Sequence, residues 1–359
     1  MDLAAAVDDG LGNRCRLQGG CDLRNGDGPA VLLRADIDAV PVQEDTGLPY
    51  SSRVAGVMHA CGHDMHTAAA LGAAALLAGA RSAWSGTYLA LFQPGEETAE
   101  GARAMVADGL VDTVPRPDVA LAQHVLTAPA AGEVATAPGP VLSTAASMRI
   151  TVHGKGTHGS MPHLGVDPVL LASAIVMRLQ GIVARELAPK QFGVVTVGSL
   201  RAGTSANTIA DRAELLLNIR AYDDATRDAL ESAITRIVAA ECDASGAPRP
   251  ADVEVFDRFP LTDNDATVTE QVTSALIAHF GPERVKTLDP VPASEDFSII
   301  PDAFGIPYSY WGVGGFTPDQ EAYPNHNPGF APAIQPTLRT ATEAAVIAAL
   351  AHLGDGVTA

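Results

Sequence analysis

The sequence predicts an α/β protein: a larger domain with a mixed central sheet, interrupted by a smaller, ferredoxin-like α+β insertion. Three observations predict it. Short apolar runs bounded by turn residues, at 30–36, 87–93 and 117–124, read as buried strands separated by helical stretches. From Ser147 the pattern becomes strand, helix, strand, strand, helix, strand, which is the split βαββαβ order. Past Asp263 the α/β character returns and ends in an alanine-rich apolar helix over 337–353. The expected boundaries are 1–142 and 259–359 for the two parts of the larger domain and 143–258 for the insertion.

A chain of 359 residues, 47% apolar and 18% charged, fits two domains with a substantial core. The formal charge of −19 and the absence of any basic run exclude nucleic acid as an expected partner. No uninterrupted apolar run reaches membrane-spanning length, so no membrane association is expected. The first residues lack a basic n-region, and four cysteines at 15, 21, 61 and 242 are too few for a disulfide framework. The expected location is the cytoplasm.

In chain order, the segment through Gly28 is weakly patterned and reads as irregular or partly helical. The run at 30–36 is a buried strand ending in Asp36-Ile-Asp38-Ala-Val-Pro41. Two carboxylates at a strand end lie where open α/β sheets place their sites, or else cap a loop. Then comes Met58-His-Ala-Cys-Gly-His-Asp-Met-His-Thr67, with three histidines and a cysteine within ten residues. Gly62 breaks any regular helix between Cys61 and His63, and an extended segment would turn both side chains to one side. A thiolate and an imidazole aimed together suit a transition metal such as zinc or manganese. Single buried Cys and His residues are common without a ligand role, but a cluster reads as a site. The following apolar run is a buried helix with Asp64 as its expected N-cap.

The strand at 87–93 breaks at Pro94-Gly95 into Glu96-Glu97. Adjacent loop glutamates point apart, which permits one ligand and one general base; the alternative is a solvated helix start. The strand at 117–124 delivers His124 at its expected end. Within the insertion, Gly154-Lys-Gly-Thr-His158-Gly-Ser-Met-Pro-His163 is too polar for a core element and lacks Walker spacing. A helix is expected over 167–187, strands over 194–200 and 213–220, and a helix over 224–239. Later come a helix over 267–280, the stretch Ser294-Glu-Asp-Phe, a strand over 308–313 and a loop containing Asn325-His326.

Together these motifs resemble the metallo-amidohydrolase family of N-acyl-amino-acid hydrolases, which includes aminoacylases, hippurate hydrolases and indoleacetyl-amino-acid hydrolases. The resemblance rests on Arg34-Ala-Asp-Ile-Asp-Ala-Val-Pro, the Met58–His66 cluster, Gln93-Pro-Gly-Glu-Glu, the His158 loop, Ser294-Glu-Asp-Phe and Asn325-His326. It implies a metal-dependent exopeptidase-like catalytic domain and an inserted lid domain that forms a homodimer. The implied metal ligands are Cys61, His63, Glu97, His124 and His326, with Glu96 as base. Two divalent transition metals per subunit (zinc, manganese, cobalt or nickel) match that ligand count. His158 is implied to reach a neighbouring site, and Asn207 and Arg220 to handle substrate. The implied reaction is amide hydrolysis of an N-acyl amino acid; the alternatives are a dipeptidase or carboxypeptidase of the same fold, or a catalytically impaired metal-binding homologue. Three departures stand out. The region ahead of residue 30 is shorter and more weakly patterned than the family's, suggesting truncation or an altered start. Gly159-Ser160 and Ala210 replace the residues common in relatives.

Overall fold

The computed structural model describes residues 14–16 and 20–355. The chain forms two compact units. One comprises the residues up to Val141, Thr262–Pro290 and the chain from Asp296; the other comprises Leu142–Leu261 and the short return Val291–Glu295.

The first unit is built on a nine-stranded mixed sheet. Its centre is four parallel strands in the order Trp84–Gln93, Ala30–Asp36, Val119–Ala130 and Tyr308–Phe316. Antiparallel pairing flanks them: Gly20–Asn25 joins the Trp84 strand, and Val134–Thr136 joins the Tyr308 strand. Strands buried on both faces explain the continuous apolar runs of the sequence. The expected irregular opening is corrected by Gly20–Asn25, whose Leu23 is buried. Its alternation is too short to be seen without its sheet partner. Residues 1–13 and 17–19 lie outside the described residues.

Helix His63–Gly79 packs on this sheet beside the helix Ile334–Leu350. Small residues of both helices are buried in the core they share: Ala69, Ala70 and Ala73 of the first, Ala341, Ala344, Ala345 and Ala348 of the second. A Cβ at Gly72 would stand 2.9 Å from Thr342 Cγ2, so the helices approach closely. The alanine richness thus belongs to the buried sides of these two helices, and Trp84, Tyr88 and Trp311 are among the largest fully buried side chains of the core.

The second unit is a four-stranded antiparallel sheet in the order Gly193–Ala202, Arg212–Ala221, Thr144–His153, Asp252–Phe259. Numbered within the unit this is 2-3-1-4, the ferredoxin-like arrangement. Helices Pro168–Leu179 and Asp224–Ala244 cover one face, burying Leu171, Ile175, Leu179, Leu230 and Ile234 against Ile150, Leu215 and Ile219. The expected helix over 167–187 is two helices, the second being Gly181–Arg185. By length and composition alone Pro168–Arg185 is apolar enough to cross a membrane, but Arg178 interrupts the run and its buried residues pack on the sheet of this unit.

Candidate metal centre

The site-bearing residues of the first unit lie at or beyond the C-terminal ends of the parallel strands, with one exception. Asp36 ends its strand, and Glu96 and Glu97 follow Gln93. His124 is mid-strand rather than terminal, because pairing with Gly312 and its neighbours continues to Ala130. Cys61 and His63 flank Gly62, which adopts φ 89° and opens the helix. Gly62, not Asp64, is the N-cap; the Asp64 carboxylate accepts from Met65 N at 2.9 Å in the first turn.

These residues converge. Donor atoms of Cys61, His63 and Glu97 lie within 4.8 Å of one another. Cys61 Sγ is 3.6 Å from His124 Nε2, and His326 Nε2 is 3.1 Å from Glu97 Oε1. All five expected ligands therefore occupy one cluster. Glu96, largely buried, brings Oε2 to 3.9 Å from His63 Nε2.

The surrounding groups set the orientation of each imidazole. His63 Nδ1 faces Asp38, at 3.0 Å from the carbonyl and 3.2 Å from Oδ1, which turns Nε2 inward. Asp38 also accepts Glu97 N at 3.0 Å, so one carboxylate holds two site segments. His124 Nδ1 lies 2.8 Å from Val125 O, leaving Nε2 toward Cys61. His66 is different: Nδ1 sits 2.5 Å from Asp36 Oδ1 and Nε2 accepts Val125 N at 2.8 Å. Both of its nitrogens are engaged, so it anchors the strand beside His124 instead of offering a donor.

Below this layer Arg34, 1% exposed, donates to Asp36 at 2.7 Å, to Gln93 at 2.9 Å and to Asp296 at 3.2 Å. Gln93 and Ala102 N donate to Asp296 at 2.5 and 3.0 Å. This buried network ties the ends of two strands to the turn that carries Glu96 and Glu97. That turn is tight. A Cβ at Gly101 would lie 1.6 Å from Pro94 O. Gly101→Ala is expected to destabilise the protein by roughly 1–3 kcal/mol and to lower kcat/KM, since both glutamates must move. Urea melts and steady-state kinetics check this; unchanged values in both would mean the turn yields without shifting the glutamates.

The local field is anionic. Burial pushes His63 down, but Asp36, Asp38 and Glu97 outweigh it and raise its pKa to about 9. Burial, then Glu97, push the Cys61 thiol far up, with Asn325 opposing and Glu96 and Asp36 adding. Burial also raises Glu97, but His326 and His63 hold it below the ordinary value. Burial takes His66 down to about 4, so it is neutral beside the Asp36 carboxylate.

Such a field calls for positive charge, and the donor set fits a divalent transition metal. His63 Nε2 is buried and has no hydrogen-bond partner among the described residues, although it points at Cys61 and Glu97. An orphaned imidazole nitrogen beside a thiol and a carboxylate is costly unless a cation completes it.

The remaining expected site residues belong to the second unit. His158 is exposed on the two-residue strand Thr157–His158, paired with Thr208–Ile209, and its Nδ1 is 2.7 Å from Ser160 Oγ. Asn207 lies beside it, its carbonyl accepting Gly159 N at 2.7 Å. Arg220 is separate from that pair: it donates to Asn218, Pro292 O and Ser294 Oγ at 3.1, 2.7 and 3.1 Å. Sequence reasoning assigned no role to His66, Asp296 or Asn325. The spacing of His66 from His63, one helical turn, was the available signal.

A two-strand-end cluster of Cys, His and Glu donors with a second carboxylate beside it defines a metallohydrolase-type centre. The chain belongs to the peptidase family M20/M25/M40, whose profile matches residues 32–349. It is 36% identical over 294 residues to N-acetyl-L-cysteine deacetylase of Bacillus subtilis (strain 168), covering 80% of this chain and 68% of that protein. It is 36% identical over 307 residues to thermostable carboxypeptidase 1 of Saccharolobus solfataricus, covering 84% and 76%. Among solved structures it resembles the Bacillus subtilis YXEP protein, described as a dinuclear metal binding peptidase, with TM-score 0.75, 30% identity and coverage of 92% and 83%.

Proposed function

We propose that this protein is a metal-dependent amidohydrolase that cleaves N-acyl amino acids to a carboxylic acid and a free amino acid. Cys61, His63, Glu97, His124 and His326 would hold two divalent transition metals, and Glu96 would be the base. The observation that carries the reading is a second carboxylate beside the donor set: Glu97 Oε1 is 3.1 Å from His326 Nε2, and the buried Glu96 comes as near to His63 Nε2, at 3.9 Å, as Glu97 does. A protein that only stores metal has no need of a second buried carboxylate there. Relatives acting on acetylated cysteine and on peptide C-termini support amide hydrolysis next to a free carboxylate.

When bound, the metals supply Lewis-acid polarisation of the amide carbonyl and acidify water. Glu96 accepts a proton from the attacking water, whose oxygen bonds to the carbonyl carbon. As the C–N bond breaks, Glu96 returns the proton to the departing amine. Asp38 keeps the His63 ring turned inward through these steps, and His66 holds the strand beside His124.

With manganese, zinc, cobalt or nickel added, N-acetyl and N-benzoyl amino acids are expected to be hydrolysed and chelation to abolish the activity. Faster turnover of dipeptides or C-terminally extended peptides would favour the peptidase alternative, for which the carboxypeptidase relative speaks. Metal binding without hydrolysis of either class would overturn the reading. The few cysteines, with Cys61 required as a free thiol, support a cytoplasmic location.

The inserted unit would form a homodimer. Its outer sheet edge, strand Gly193–Ala202, pairs on one side only, and helix Pro168–Leu179 exposes Leu170 and Met177, at 71% and 74%. In this reading a second copy covers that face and His158, with Asn207 beside it, completes the neighbour's oxyanion site. Arg220 would handle the substrate carboxylate. Mixing inactive Glu96→Gln with inactive His158→Ala protein is expected to restore activity once subunits exchange. No recovery after proven exchange would place His158 outside the neighbour's reaction.

A further inference from the structure

Asn325 and His326 are neighbours in the chain, yet their side chains serve different donors of the centre. His326 adopts φ 65°, a conformation L-residues rarely occupy, and its N donates to Ala60 O at 2.8 Å. That backbone bond pins the loop against the residue next to Cys61. From there His326 reaches Glu97, and Asn325 Nδ2 donates to Cys61 Sγ at 3.0 Å, a close approach for a sulfur acceptor.

The sulfur this amide meets is not an ordinary one. Glu97 offers a carboxylate oxygen within 4.8 Å of it, and a metal-bound thiolate beside that charge would be electron-rich. An amide N–H draws charge from the sulfur without adding a formal charge and without ionising. It also occupies one sulfur lone pair and so fixes the direction of the rest. Groups that hydrogen-bond to a metal ligand tune both its geometry and its donor strength.

We propose that Asn325 is a positioning residue that hardens Cys61 as a metal ligand: its N–H lowers the donor strength of the sulfur and biases the centre toward harder metals over soft ones. The proposal rests on Cys61 being a ligand, as argued above. Its consequence is that metal preference is set partly by a neutral loop residue that touches no metal.

The test uses cobalt(II) as a spectroscopic probe and manganese(II) and cadmium(II) as binding probes. The cobalt protein should show a thiolate-to-metal charge-transfer band that Cys61→Ser removes; a wild-type protein without that band would refute the ligand assignment, and the proposal with it. In Asn325→Leu the band is expected to move to longer wavelength, and the manganese-to-cadmium affinity ratio to fall roughly tenfold. Asn325→Gln, which keeps an amide donor, should recover part of both changes. An unmoved band in Asn325→Leu would overturn the proposal. So would an equal loss of affinity for both metals, or a shift that Asn325→Gln leaves unreversed, since either assigns the effect to loop disruption.

Discussion

Glu96→Gln is expected to lower kcat by roughly 10²–10⁴-fold, the range typical of a lost general acid–base, with bound metal unchanged. The substitution keeps shape and removes the ability to take a proton. Glu96 Oε2 and Glu97 Oε1 both lie 3.9 Å from His63 Nε2, and Glu97 also meets His326 at 3.1 Å, so the proposal gives Glu97 the metal and Glu96 the proton. Metal content by emission spectrometry and kcat on an N-acyl amino acid separate the two roles. If turnover persists with metal bound, Glu96 is not the base. If metal is lost in parallel with activity, Glu96 is a ligand and the division of labour between the two glutamates is reversed.

Asp36→Ala is expected to cost about 3–5 kcal/mol of stability, because it strands a buried guanidinium contact and a buried imidazole N–H. Arg34 is 1% exposed, and Asp296 compensates only part of its charge. Burial pushes the Asp36 carboxyl up, but His66, Arg34 and His63 bring it well below its ordinary value of 3.8. A folded-state pKa below the unfolded one stabilises the protein above the unfolded value; this contribution disappears as pH falls through the folded one. The difference between wild type and Asp36→Ala in urea melts should therefore be full at neutral pH and shrink in strong acid. A difference under 1 kcal/mol at neutral pH would mean that water or a rearranged Arg34 replaces the carboxylate at little cost.

Much of this cluster was readable from the sequence because its residues sit in short, chemically unusual strings. Cys61 and His63 flank a glycine that no helix would place there, and Glu96-Glu97 follows a strand broken by Pro94-Gly95. Strand Ala30–Asp36 was readable to the residue, since both of its faces are buried and its run is continuous. Gly20–Asn25 was not. Half of its pattern is polar, and it becomes a strand by pairing with Trp84–Gln93. The supporting network was hidden for another reason. Asp296 meets Arg34 and Gln93 across 262 and 203 residues, and nothing local in Ser294-Glu-Asp-Phe marks its carboxylates as buried. Asn325 was quoted as part of a motif, but its hydrogen bond to sulfur depends on the left-handed turn at His326, which sequence patterning does not reveal.

The seam between His63–Gly79 and Ile334–Leu350 bears on how the protein is made. The helix that begins at His63 is synthesised long before the helix it packs on, Ile334–Leu350. His326 arrives just before that second helix, and the whole of Leu142–Leu261 is translated in between. Closure over so long an interval is slow, and Cys61 and His63 wait for it. A complete centre therefore cannot form until the segment carrying His326 has been made and has folded back onto Cys61 and His63.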